Sequence, residues 1–297
     1  MNISKSVVTA AGRKVSVLRA GPTSGEAVLL VHGGRAGISP IASGAHIWDR
    51  AIPYLAAGRP VIAIDLPGAG GSDLGAPEIL SIDKLGAHIL GVLDALSLPA
   101  VHFVGHDLGG FIGLSLAAFS PQKLRSLSIV ASGVAPPTGD GLNDILFEAV
   151  PLPRWSKNSQ AWAFERVSYS NGHIDETLLT ACVDAANGKP HGEAVQAMQD
   201  EKMRARNFGV GAVKGKIWEA LRGNGLSVPT QLVWSSHDPQ APREGGYVLF
   251  KIIAEKQRAT HFHLINRAGS FAFREQPAEF AQVVASFHDG IDLEKAA

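Results

Sequence analysis

The stretch Val104-Gly105-His106-Asp107-Leu108-Gly109-Gly110 decides the fold. It ends a short apolar run and opens a helical pattern, with the G-x-Nuc-x-G spacing of a nucleophile elbow. Such a turn lifts one side chain above the carboxyl end of a parallel sheet. Only small residues fit beside it, because the lifted residue has a strained backbone and the following helix packs close to the strand. Here that residue is Asp107, where serine is usual. A carboxylate in this place changes which chemistry is open.

Outward from the elbow, apolar runs at 27–31, 61–64 and 101–104 are short, rich in Val, Ile and Leu, and end in glycine-containing loops. Buried parallel strands have this form. Helical patterns at 48–57 and 82–96 separate them, further strands are expected at 124–131, 230–234 and 261–265, and a helix at 277–287 closes the chain. At the start, Val7-Val8-Thr9 and Val15-Ser16-Val17-Leu18 flank Ala11-Gly12-Arg13 as a β-hairpin. Strand–helix alternation of this kind predicts an α/β fold with a doubly wound, mostly parallel sheet and ligands at the carboxyl ends of its strands.

The alternation breaks between Ser132 and Leu226. An interval of that length is too long for a plain loop, and its patterns are mostly helical. It also holds Trp155, Trp162, Trp218 and the single cysteine, Cys182. The expected organisation is therefore a core of 1–132 and 226–297 with an inserted helical cap at 133–225. Aromatics of the cap either line a substrate pocket or form the cap's own small core.

The totals narrow the function classes. The 297 residues are 45% hydrophobic and 18% charged, enough for a large core, and the 27 Lys and Arg balance 27 Asp and Glu. No excess of positive charge points to nucleic acid. One cysteine allows no intrachain disulfide, and no Cys/His spacing suggests a metal. The N-terminal residues lack the apolar core of a signal peptide, and no uncharged run approaches the roughly 20 residues of a membrane span. The expectation is a cytoplasmic protein with a small-molecule substrate as its partner, no cofactor, no metal, no nucleic acid and no membrane; a homodimer is left open.

Four motifs in order make the chain resemble the α/β-hydrolase superfamily over nearly its whole length. They are Leu30-Val31-His32-Gly33-Gly34, then Asp65-Leu66-Pro67-Gly68-Ala69-Gly70-Gly71-Ser72-Asp73, the elbow itself, and Val228-Pro229-Thr230 through Trp234 followed by Asp238. The resemblance implies an oxyanion hole built from backbone N–H groups of Gly33 or Gly34 and Leu108, and an acid at Asp238. His32 and His106 fall where the superfamily often packs a histidine against backbone. Trp48 falls at a usual aromatic position and is expected to pack, whereas His46 is open to a pocket role.

A working triad also needs a histidine base. The superfamily places it in a segment reading roughly A-G-H-F, and here that segment is Ala268-Gly269-Ser270-Phe271, followed by Ala272-Phe273-Arg274-Glu275. Ser270 occupies the histidine's place, and a serine hydroxyl is not basic near neutral pH. Relatives with Asp at the elbow, the epoxide hydrolases and haloalkane dehalogenases, attack carbon and rely on that histidine to hydrolyse the resulting ester. The chain also has Leu108 where dehalogenases commonly have tryptophan, and Tyr169 is the only tyrosine in the cap. The Gly33-Gly34 turn and Phe273-Arg274-Glu275 look nearer the carbon–carbon bond hydrolases of aromatic breakdown, which use serine and histidine.

Three functions follow. The first is a non-hydrolytic enzyme (isomerase, cyclase, decarboxylase or lyase) acting on a small, largely apolar molecule. In it Asp107 is a general acid or base, Asp238 is a leftover acid or a second carboxyl partner, and Ser270 binds substrate by hydrogen bonding. The second is an epoxide- or halide-type hydrolase with a nucleophilic Asp107 and a relocated base, His237 or His46. The third is a ligand-binding protein without catalysis. Trp155, Trp162 and Tyr169 are candidate pocket residues in each. His261 and His263 share a strand face, so at least one is expected to be buried.

Overall fold

A computed structural model describes residues 2–137 and 149–296, with backbone only at 206–208 and 294–296. Its centre is an eight-stranded sheet in the order β1-β2-β4-β3-β5-β6-β7-β8. The strands are β1 Ser4–Ala10, β2 Arg13–Ala20, β3 Val28–Val31, β4 Val61–Ile64, β5 Val101–His106, β6 Leu124–Val130, β7 Thr230–Ser235 and β8 Thr260–Ile265. β1 pairs antiparallel with β2, and β2 with β4; every pairing from β4 through β8 is parallel. The strand order reverses around β3 and β5, which is where a doubly wound sheet opens a crevice for ligands.

The interior strands have no alternating pattern because helices cover both faces. Every residue of β3, β4, β5 and β7 is buried. One face is covered by a layer in which helices Ile82–Ala95, Leu108–Phe119, Gly211–Gly223 and Arg243–Ala254 touch in succession. On the other face Ile52–Leu55 packs against Pro277–Ala296. Helix Leu108–Phe119 is apolar nearly all round, and nine of its residues are buried, as expected of a helix enclosed by sheet and neighbours.

Three expectations shift. The helix expected at 48–57 is a 3-10 turn at Ala45–Trp48 followed by a short helix at Ile52–Leu55. Pro53 has no N–H to return to the carbonyl of Asp49, so a continuous helix cannot pass through it. The closing helix runs to Ala296 because Phe280, Val284, His288 and Ile291 continue a buried stripe beyond 287. Neither His261 nor His263 is buried: β8 is an edge strand, and their rings stack 6.3 Å apart on a partly open face.

Between β6 and β7 the described chain is helical, with Lys157–Val167, Glu176–Asn187, Lys189–Ala197, Glu201–Phe208 and Gly211–Gly223. Ser156, Asp175 and Asp200 cap three of these helices, each side chain accepting an N–H from the first turn. Part of the expected cap, 138–148, lies outside the described residues. No described helix is long and apolar enough to cross a membrane.

Candidate active site

The turn after β5 places Asp107 at φ 47° and ψ −112°, a conformation that costs a non-glycine residue roughly 1–3 kcal/mol. Its surroundings hold it there. Asp107 N donates to Val130 O at 2.9 Å, while Asp107 O accepts from Ser132 Oγ at 2.8 Å and Phe111 N at 3.1 Å. The elbow glycines are required by close approach: a Cβ on Gly105 would lie 2.4 Å from Gly109 C, and one on Gly109 would lie 2.4 Å from Val31 O.

The carboxylate of Asp107 turns toward the Gly33-Gly34 turn after β3. Gly34 N–H donates to its Oδ2 at 3.3 Å. The Gly34 N–H is thus engaged by the elbow's own side chain. Beside this turn runs a cleft lined by Gly34, Ala36, Ile38, Leu66, Leu80 and Leu108, with a volume of about 20 Å³. That is room for one or two water molecules.

Asp238 follows β7, as the sequence predicts, and meets Ser270 after β8. Ser270 Oγ donates to Asp238 Oδ1 at 2.5 Å, and Gln240 N donates to the same oxygen at 2.8 Å. Asp238 Oδ2 is buried and has no hydrogen-bond partner. Burial pushes the Asp238 carboxyl up to about 6, and the charge of Asp107 acts in the same direction. Two carboxyls therefore influence one another across the site, with a hydroxyl where an imidazole would bridge them.

Residues to which the sequence assigns no role in the site fix this geometry. Ser270 N donates to Val167 O at 2.8 Å, at the end of helix Lys157–Val167. Glu275 accepts Gly269 N on one oxygen and both Tyr169 N and Ser170 N on the other. The serine's loop is thereby tied to the inserted helices by backbone bonds that no side-chain pattern announces. Ser132 and Gln240 likewise act through contacts made only on folding.

The histidines make their hydrogen bonds to groups other than Asp107's carboxylate. His32 receives Leu66 N on Nε2 at 2.9 Å, so its proton sits on Nδ1 and is donated to Gly33 O at 2.7 Å. His106 donates Nε2–H to Ser270 O at 2.9 Å and is lowered to about 4 by burial. His46 lies 3.3 Å from Cys182 Sγ and is likewise lowered to about 4, chiefly by burial. His237 is exposed, bonded to Ser236 Oγ at 2.6 Å and packed 4.6 Å from the Tyr169 ring. None of the eleven histidines hydrogen-bonds the Asp107 side chain among the described residues.

The aromatics divide similarly. Trp48 is fully buried, 4.1 Å from Phe273 and edge-on to His106, a packing role. Trp155 donates Nε1–H to Ser39 O at 2.9 Å and meets His191 edge-on. Trp162 is half-buried beneath the Arg166 guanidinium, and Tyr169 is exposed beneath Arg267. The structure brings Gly34, on the turn after β3, to Asp107 at the elbow beside Leu108, and joins Asp238 to Ser270. It places His46, His237 and Tyr169 in other contacts.

A strained elbow over the end of a doubly wound sheet, an aspartate after β7 and a glycine turn after β3 are features of the α/β-hydrolase class. The alpha/beta hydrolase fold family model matches residues 26–273, and the chain belongs to that family. It is 26% identical over 281 residues to the 2-hydroxymuconate semialdehyde hydrolase of Pseudomonas sp. strain CF600, covering 94% of this chain and 92% of that protein. It is also 26% identical over 275 residues to a 2-hydroxy-6-oxononadienedioate/2-hydroxy-6-oxononatrienedioate hydrolase of Paraburkholderia xenovorans, covering 88% and 86%. A meta-cleavage product hydrolase from Pseudomonas fluorescens IP01 superposes with a TM-score of 0.77 at 22% identity, over 97% of this chain and 98% of that one. An epoxide hydrolase superposes with a TM-score of 0.71 at 18% identity, over 98% and 100%. The last two likenesses concern the fold alone.

Proposed function

We propose that this chain is a non-hydrolytic enzyme in which Asp107 moves a proton on a small, largely apolar molecule bearing a carbonyl. The observation that carries the reading is the pairing of an elbow carboxylate with a Ser270–Asp238 dyad in place of an imidazole. Hydrolysis through a covalent ester needs a base to activate water; a serine hydroxyl does not supply one, and no described histidine hydrogen-bonds the Asp107 side chain.

Asp107 has the requirements of a general acid or base. It is lifted into the site, held by backbone bonds, and oriented by Gly34 N–H. A substrate carbonyl oxygen displacing Oδ2 from that N–H would gain the donor and free the carboxylate to accept a proton from the adjacent carbon. Charge developing on the oxygen is then met by Gly34 N–H and the first-turn N–H of Leu108. The oxo-dienoate and semialdehyde groups in the relatives' names fit this demand, since their carbonyls are conjugated to acidic positions. The helices between β6 and β7 serve as the cap that closes over the bound molecule.

The aspartate at the elbow also favours a second reading, epoxide or halide hydrolysis with Asp107 as nucleophile. One experiment separates them. The protein is incubated in D2O with 2-hydroxy-6-oxo-dienoates, simple 1,3-diketones, styrene oxide and 1-bromohexane, and products are followed by NMR. Proton chemistry predicts deuterium at a carbon next to the carbonyl and a drop of about 10²-fold or more in Asp107→Asn. Diol or alcohol formation instead would establish the hydrolytic reading, and full activity in Asp107→Asn would refute both.

A further inference from the structure

We infer that Ser270 is a proton relay between Asp238 and the substrate, so that the site performs a proton shift with two carboxyls rather than one. The inference rests on the reading of Asp107 given above and adds the group that completes the reaction.

The hydrogen bonds of Asp238 leave one route for its proton. Oδ1 accepts from the Ser270 hydroxyl at 2.5 Å and from the N–H of Gln240 at 2.8 Å. A peptide N–H does not exchange roles with a carboxyl; a hydroxyl does, because it can accept one proton while giving up another. Oδ2 is buried with no partner. Asp238 therefore reaches other groups through Ser270 Oγ, whose other polar neighbour is Gln240 Oε1 at 3.5 Å, a long contact that a substrate atom would displace.

A structural hydroxyl could be satisfied by any acceptor. An acid buried with one unpaired oxygen and no cation bonded to it is instead an unfavourable arrangement. It is relieved when the carboxyl holds a proton. The raised Asp238 pKa of about 6 agrees with this geometry.

The balance is simple. Asp107 removes a proton from a substrate carbon or hydroxyl, leaving an enolate whose oxygen faces Gly34 N–H. Ser270 Oγ delivers its proton to a distant carbon of the conjugated system while accepting the proton of Asp238. One bond to hydrogen breaks, one C–H bond forms, and the product is a tautomer of the substrate. Asp107 leaves the cycle protonated and Asp238 ionised, and exchange with solvent restores both after release. No oxidant, metal or second substrate is required. The substrate class is an enol or ketone with an extended conjugated system.

The test uses the full chain and the deuterium assay above. Ser270→Ala should slow deuterium delivery to the distant carbon by about 10²-fold, while Ser270→Thr, which keeps the hydroxyl, should stay within about tenfold of wild type. The wild-type rate should fall as pH rises through about 6, because the donor form of Asp238 is lost. Ser270→Ala/Asp238→Asn should be no slower than either single variant, as for groups acting in series. Should Ser270→Ala keep the wild-type rate and its pH limb while Asp107→Asn is inactive, the relay is wrong and the role of Asp107 stands. If Asp107→Asn is fully active, the underlying reading fails.

A substrate-free measurement covers the case in which no probe turns over. Carbon-13 NMR of labelled aspartate should show one buried carboxyl titrating near pH 6, in rapid exchange in wild type and slow exchange in Ser270→Ala. No aspartate titrating between about pH 5 and pH 7, or unchanged exchange in the alanine variant, would overturn the relay.

Discussion

Replacing Asp238 by Asn should stabilise the protein at neutral pH relative to acid, which is the reverse of what losing a structural carboxylate does. The folded-state carboxyl is raised from 3.8 to about 6, mainly by burial. The folded protein thus holds a proton that the unfolded chain has released, and stability falls with rising pH from the unfolded value toward the folded one. Below the unfolded pKa this penalty is absent; above about 6 it is complete.

Each pKa unit corresponds to about 1.4 kcal/mol, so the full penalty is about 3 kcal/mol, of which about 2 kcal/mol develops between pH 4.5 and pH 7.5. Asn keeps one oxygen to accept from Ser270 Oγ and Gln240 N, but places an NH2 where Oδ2 has no partner. That unpaired donor costs about 1–3 kcal/mol at every pH. The absolute stabilities of the two proteins are therefore a poor readout, and the pH dependence of their difference is a good one. Urea unfolding at several pH values should show Asp238→Asn gaining about 2 kcal/mol on wild type from pH 4.5 to pH 7.5. A flat difference, or one of opposite sign, would refute the reasoning that Asp238 is a desolvated, proton-holding acid.

The remaining expectations concern the frame around the site. Gly109→Ala puts a Cβ 2.4 Å from Val31 O, a main-chain atom that cannot give way, and should lower unfolding free energy by about 2–3 kcal/mol or prevent folding; a thermal melt within a degree of wild type would contradict the packing described. Cys182 is fully buried and its thiol is pushed up to about 12 by burial, so Ellman's reagent should label it only as the protein unfolds. Rapid labelling of the native protein would contradict its burial beside His46. His288 is buried against His102 at 4.2 Å with neither ring nitrogen bonded, and burial holds it well below 6.5. Because the unfolded chain takes up that proton first, stability tied to this group is present above about 6.5 and lost as pH falls. His288→Phe should therefore shift acid unfolding to lower pH, and an unchanged midpoint would show that this pair does not set it.

Much of this was legible because it rests on local sequence. The runs that became β3 and β4 are continuous blocks of Val, Ile, Leu and Ala, and burial on both faces demands that pattern. The elbow could be read from Gly105 and Gly109, since close main-chain approach admits no other residue there. Asp238 and Ser270 could be named from their motif positions. Their bond could not, because a serine in place of histidine has no fixed partner until the loops after β7 and β8 meet. The same is true of His46, whose sulfur partner is 136 positions away, and of Gly34, whose N–H holds Asp107 across 73 positions. The burial expected of His261 or His263 does not occur, for a related reason. Period-two spacing gives a shared face, but only the sheet order shows that β8 is an edge.

The most direct test of the account is where oxygen goes during turnover. The probe that the enzyme converts fastest is turned over in oxygen-18 water, and the peptide containing Asp107 is then isolated and weighed. An attacking carboxylate passes through an ester whose hydrolysis leaves solvent oxygen in the aspartate, whereas a proton-carrying one never breaks its C–O bonds. The account predicts an Asp107 peptide of unchanged mass together with deuterium uptake by the substrate in D2O. Oxygen-18 in the Asp107 carboxylate would contradict it.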